Sequence, residues 1–221
     1  MSVREKSKQQ RRDRILEAAA TLLRKGGAEA LTMRELARCA KVSEMTPYNL
    51  FGGKAEIVTA LFEARLGTLV GESFREMPSD ALERLFVGQE MLTTWWTEDS
   101  AFFRELIRAA REAGADLSPF EETPVALLEA GLNDAARAGL IGDEVPRDEL
   151  ARHIFVANQG VHDPWVEGDL DDEELRSGLI TGLAIALLAV AKPAPRKRIL
   201  ERMRQARKQG RRGRGGASAD G

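Results

Sequence analysis

One cysteine, one tyrosine and two histidines occur among the 221 residues. The lone Cys39 cannot form an internal disulfide, so a reducing compartment, the cytoplasm, is expected. His153 and His162 stand too far apart for a metal pair on one helical face. No Cys/His cluster accompanies them, and no metal or other cofactor is predicted. No apolar run reaches the roughly 20 residues that span a bilayer, and no membrane contact is expected. The longest run, GLITGLAIALLAVA from Gly178 to Ala191, reads as a helix buried on most sides. The amino-terminal MSVREKSKQQRRDR is charged and lacks the apolar stretch of a secretory signal. Strand-like alternation, internal repeats, G-x-S-x-G, phosphate loops and dinucleotide fingerprints are also missing. An enzyme is therefore not expected.

Aromatics are scarce at 5%, whereas Ala, Leu, Glu and Arg abound, the composition of an all-α chain. The net charge of −2 conceals a partition. Residues 1–54 carry 12 Lys+Arg against 6 Asp+Glu, and residues 196–221 carry 10 against 2. The stretch between them carries 11 against 27. Two basic ends flanking an acidic middle suggest that only the ends approach a polyanion.

Helical periodicity predicts a first helix over about Lys8 to Arg24, stopped by KGG at Lys25 to Gly27. A second opens at Thr32, where T-M-R-E reads as a capping box shared by Thr32 and Glu35. Its inward face is Met33, Leu36, Ala37 and Ala40. A tight turn, KVS, follows, and Ser43 is the expected cap of a short third helix with Pro47 in its first turn. A long fourth helix should run from about Lys54 to Arg75. Further segments are expected over roughly 80–96, 100–113, 120–138, 147–161 and 172–191. The remaining KPAPRKRILERMRQARKQGRRGRGGASADG opens with prolines and ends in Arg/Gly, which predicts a linker and a largely disordered basic arm.

Helix, tight turn, and a short helix that is polar outside form the helix-turn-helix pattern, whose second helix suits the major groove of duplex DNA. Leu50 and Phe51 should face the small core. Glu44, Met45, Thr46, Tyr48 and Asn49 remain to face outward. Glu44 can accept from a cytosine amine and Asn49 can pair with adenine. Met45 and Thr46 can touch a thymine methyl, and Tyr48 can bind phosphate.

These residues also carry a family resemblance. RILEAAATLLRKGGAEALTMRELA, VS, TPYNLF and GGKAEIVTALF, over about Arg12 to Leu61, resemble the DNA-binding domain of the tetracycline-repressor (TetR) family. The resemblance implies that Tyr48 and Lys54 grip phosphates, with Arg34 nearby on the backbone or a base edge. It also implies that the fourth helix links DNA binding to a second domain. The expected DNA-contacting set is Thr32, Arg34, Ser43, Glu44, Met45, Thr46, Pro47, Tyr48, Asn49 and Lys54. The sequence departs from the family at Lys41, where glycine is usual, at Asn49, where histidine is common, and at Pro47, where leucine is common.

The domains expected are thus 1–53, helix-turn-helix, with its core at about 12–53; 54–191, helical, for effector binding and dimerisation; and 192–221, a basic tail. In the second, NQGVHDPWVEGDLDDEELRSGLITGLAIALLAVA is similar to the last two helices of many members, which implies a homodimer through about 147–161 and 172–191. Phe86, Met91, Trp95, Trp96, Phe102 and Phe103 are concentrated in one stretch. The family's middle helices imply an effector pocket, and an apolar or flat small molecule would suit it. Phe86, Met91, Trp95, Trp96, Phe103, Asn158 and His162 are its candidate lining, with Trp165 close in sequence; an aromatic core alone is the plainer alternative. DDEEL, at Asp171 to Leu175, reads as acid at a helix N-terminus, where it complements the dipole.

A homodimeric repressor, released by its effector from a palindromic double-stranded operator, is the function these readings favour. A non-specific DNA-binding protein working through its basic arms is the alternative. An enzyme or carrier on a helical bundle stands further behind.

Overall fold

The computed structural model describes residues 2–73 and 77–217, and within them the side chains apart from those of 68–73, 119 and 211–217. Ten helices occupy the described residues. In chain order they are α1 (Val3–Ala30), α2 (Met33–Cys39), α3 (Met45–Phe51), α4 (Lys54–Ser73) and α5 (Ala81–Thr97). There follow α6 (Ser100–Ala113), α7 (Ser118–Arg137), α8 (Arg147–Glu167), α9 (Asp172–Val190) and α10 (Pro193–Ala217). The fold class is all-α, as its composition predicts. A single isolated bridge, Ile141 with Ala191, is the β pairing found among the described residues. No described helix is long and apolar enough to cross a membrane.

The chain divides into two compact units. The first comprises residues 1–72 together with 99–117. Its core is built from Ile15, Ala19 and Leu23 of α1, Leu36 and Ala37 of α2, Ile57 and Val58 of α4, and Phe102, Leu106 and Ala109 of α6, all buried. Gly27 kinks α1 with φ 69°, a left-handed backbone that glycine adopts without a Cβ penalty, so KGG interrupts the helix, which resumes to Ala30 beyond the predicted stop. At the other end α1 reaches back to Val3, beyond the predicted Lys8, because Ser2 and Glu5 close a capping box there. Three tethers run from α6 to the α1–α4 region. Arg24 pairs with Asp99 at 2.5 Å, Glu105 accepts the Ala28 N–H at 2.8 Å, and Lys54 meets Glu112 at 3.3 Å.

The second unit comprises residues 73–98 and 118–221. Leu82 and Phe86 of α5, Leu132 of α7, Ile154 of α8, Leu183 and Leu187 of α9 and Ile199 of α10 share its core. Two segments differ from expectation. Helix α8 does not end near residue 161 but continues through Pro164 to Glu167. The carbonyl left without its usual N–H partner belongs to Gly160, an exposed residue that water can serve, while Trp165 and Val166 beyond the proline are wholly buried. Burial outweighs one lost hydrogen bond.

Of the tail expected to be linker and disordered arm, residues 193–217 form α10, and 218–221 lie outside the described residues. Pro193 sits at its first helical position, where a missing N–H costs nothing. Ile199 and Ala206 are buried, and Met203 between them is partly buried, so an apolar stripe exists within the basic sequence. Arg198 bonds Asp80 and Glu83, and Arg202 bonds Glu83 and Glu90, all on or capping α5. The Arg198 guanidinium holds the Asp80 carboxyl down to about 2, below the usual carboxylate range. A Cβ on Gly210 would lie 2.7 Å from that of Ser177, so only glycine permits this approach of α10 to α9.

Candidate functional site

Helix α2 starts at Thr32, whose hydroxyl accepts the Glu35 N–H at 3.2 Å. The reciprocal half of the predicted box is not made. The Glu35 carboxylate takes Arg38 at 2.8 Å, and the Thr32 N–H goes to the Ala30 carbonyl. After Ala40 the chain reverses at Lys41, which has φ 54° and is the one non-glycine residue with positive φ among those described. At this departure from the glycine expected by resemblance, the turn places a Cβ in the left-handed region. Ser43 does not cap α3 through the backbone as expected. Its hydroxyl shares a 2.8 Å hydrogen bond with that of Thr46, and Glu44 occupies the cap position.

Helix α3 is anchored from α1. Arg12 donates to the Leu50 carbonyl at 2.5 Å, and its guanidinium lies 4.1 Å from the centroid of the Phe51 ring. With that end held, Met45 (62% exposed) and Tyr48 (46%) stand in solvent, joined by exposed Glu44 and Asn49 and half-buried Thr46. Arg34 and Thr32 are exposed on α2 and at its start. Two predicted contact residues are placed otherwise. Pro47 is buried, since it lies on the α3 face that turns away from water. Lys54 donates to the Ala28 carbonyl at 3.1 Å and pairs with Glu112, so its ammonium bridges helix ends within the first unit.

In the second unit the candidate effector residues separate into groups. Phe86 is wholly buried in the core, with the Arg202 guanidinium 5.6 Å from its ring centroid. Phe103 belongs to the other unit, buried beside Phe102. Met91 is half-buried on α5. The rest come together. Trp96 packs edge-on to Trp95 at 4.7 Å, to His162 at 5.2 Å and to Trp165 at 6.3 Å. Asn158 donates to the Gln89 side-chain carbonyl at 3.2 Å, and both residues are buried. Gln89 and buried Thr93 escaped the sequence reading, although they were detectable as polar residues on the stripe that Leu82, Leu85 and Phe86 define. Burial pushes His162 down to about 4, so its ring is uncharged at neutral pH. No group of three His, Cys, Asp or Glu among the described residues could hold a metal.

Residues 15–61 match the family described as bacterial regulatory proteins, tetR family. The chain carries a TetR-family N-terminal domain. The fold as a whole is similar to solved TetR structures. TylP, a tetR regulator from Streptomyces fradiae, aligns with a TM-score of 0.61 over 91% of this chain and 98% of its own, at 18% identity. SmeT, the repressor of the Stenotrophomonas maltophilia multidrug efflux pump SmeDEF, gives 0.60 over 82% and 91%, at 21% identity. A gamma-butyrolactone receptor described as ArpA-like gives 0.59 over 92% and 99%, at 18% identity. Among curated proteins none matches in sequence.

Within this TetR-family head, Ile15, Leu23, Leu36, Ile57 and Leu61 fill the interior. The residues left facing water on α3 are those whose chemistry suits base edges and phosphates.

Proposed function

We propose that the chain is a ligand-responsive, sequence-specific transcriptional regulator, a homodimeric repressor that occupies a palindromic DNA operator until a small effector releases it. The observation that carries this reading is the exposed face of α3, which holds Met45 and Tyr48 in water on an element that a TetR-family domain surrounds. Glu44 and Asn49 serve base edges, Met45 and Thr46 a thymine methyl, and Tyr48 and Arg34 the phosphates. Dimerisation through α8 and α9 is supported by Val156 (61% exposed) and Ile185 (60%), large aliphatic side chains in water on those helices. Two-fold symmetry then implies a palindromic site. Effector control is supported by the Trp-lined seam of the second unit and by the receptor named among the similar folds. In this scheme the ligand shifts the population between two conformers of the dimer.

The test is selection of random duplex DNA by the full-length protein at about 0.15 M salt, where long-range steering is screened. An enriched palindrome is expected. Tight binding with no enriched sequence would instead favour non-specific coating, towards which the exposed Arg204, Arg207 and Lys208 of α10 would contribute. Failure to bind DNA at all would sink the proposal.

A further inference from the structure

A buried amide or imidazole without a hydrogen-bond partner destabilises the fold that contains it, and folded proteins hold few of them. Helices α5 and α8 hold two along one seam. Gln89, Thr93 and Trp96 recur at i, i+4 and i+7 on α5, and Asn158 and His162 at i and i+4 on α8. The Thr93 hydroxyl is satisfied by the Gln89 backbone carbonyl at 2.7 Å, and the Gln89 side-chain carbonyl by Asn158. Gln89 Nε2 and His162 Nδ1 remain buried with no partner among the described residues. Both residues are more than nine-tenths buried, at 5% and 8% exposure. Thr181 of α9 has a buried hydroxyl in the same condition.

We propose that the Gln89–Asn158–His162 seam recognises an uncharged, flat effector that presents a carbonyl-type acceptor and an N–H or O–H donor. The proposal rests on the ligand-responsive reading above and names the ligand's chemistry. A Gln amide nitrogen has only donors to offer, so the ligand must accept there. His162 Nδ1 in the Nε2–H tautomer accepts, so the ligand must donate to it. The rings of Trp96 and Trp165, edge-on around His162, supply apolar walls that suit a planar frame. An anionic ligand would lose its hydration here without gaining a counter-charge. His162 is itself neutral at pH 7, and Arg176 of α9 is already engaged by Thr94, Thr97 and Glu173.

The chain's three tryptophans are Trp95, Trp96 and Trp165, all at this seam, so intrinsic emission reads it directly. The full-length protein, without DNA, is titrated with isoquinolin-1(2H)-one, a planar lactam, with naphthalene, and with 1-naphthoate. The lactam should quench the emission with a Kd at least tenfold below that of either comparison compound. His162→Phe should erase this preference, and so should Gln89→Leu combined with Asn158→Leu. Both variants should melt at or above the wild-type temperature, because each removes buried polar groups left unpaired. Equal affinity for lactam and naphthalene, preference for naphthoate, or no quenching by the lactam would each overturn the proposal. So would a fall in Tm or failure to fold in both variants, since the polar groups would then be structural. Because no DNA is present, a failed operator selection leaves this inference standing, and equal probe affinities leave the regulator reading standing.

Discussion

Helix α3 keeps Met45 and Tyr48 in solvent, whereas α5 and α8 keep Gln89, Asn158 and His162 out of it. Each region departs from the rule that apolar side chains go inside and polar ones outside, and the departures have opposite sign. On α3 the cost is small, because an exposed Met or Tyr loses only the burial it might have had. Along the seam the cost is larger, because amide and imidazole groups surrender water. On the proposed function, a surface that reads a polyanion is added cheaply to a sound core, while recognition of a small molecule is drawn from the stability of the core itself.

The comparison breaks most visibly if the scaffold under the seam is removed. Trp165 is wholly buried and donates its indole N–H to Asp172 at 2.8 Å. Trp165→Ala should lower unfolding free energy by about 3–5 kcal/mol in urea titrations. A loss below about 1 kcal/mol would show that the Trp165 site collapses or is loosely packed. On α3 the opposite pattern is expected. Glu44→Ala or Asn49→Ala should cost about 1–3 kcal/mol per lost base contact, measured by fluorescence anisotropy on the selected operator, and should change base preference. Stability should stay within about 0.5 kcal/mol of wild type. Unchanged preference in both would misplace the recognition face.

Acid sharpens the contrast. His162 titrates at about 4 when folded and near its ordinary value when unfolded, so between pH 6.5 and 4 the unfolded chain binds more protons. Stability is therefore fully present above pH 6.5 and is lost as pH falls towards 4, by on the order of 3 kcal/mol. His162→Phe should remove this slope, and melting curves at several pH values will show it. The smallest effect is expected at the turn. Lys41→Gly should gain about 0.5–1 kcal/mol by relieving φ 54° at the expense of unfolded-state entropy, again by urea titration.

The outward residues of α3 were legible in the sequence because a short helix cannot bury Glu44, Tyr48 and Asn49 together. The span of α6 was equally clear, since Phe102, Phe103, Leu106, Ala109 and Ala110 repeat at helical spacing. What escaped depended on tertiary partners. Pro47 belongs to the expected DNA-contacting set, but its side of the helix faces inward. The end of α8 carries a local breaker, Pro164, which burial of Trp165 overrides, while Pro193 and Pro195 fall in the first turn of α10, a helix that burial of Ile199 holds in place. Lys54 has an acidic partner from α6, residue 112, that no local pattern announces. Asn158 and His162 could be singled out as polar, yet their burial against Gln89 is a property of two helices meeting.

The tethers from Asp99, Glu105 and Glu112 also bear on how this protein is made. The amino-terminal unit is not finished when residue 72 leaves the ribosome, because α6 is synthesised later, after α5. Until residue 112 has emerged, Arg24, the Ala28 amide and Lys54 lack one or more of the carboxylates that hold them. The nascent head must wait, supported by its own small core, for a helix encoded well downstream. A fragment cut at the apparent boundary of the helix-turn-helix would be arrested at that same unfinished stage.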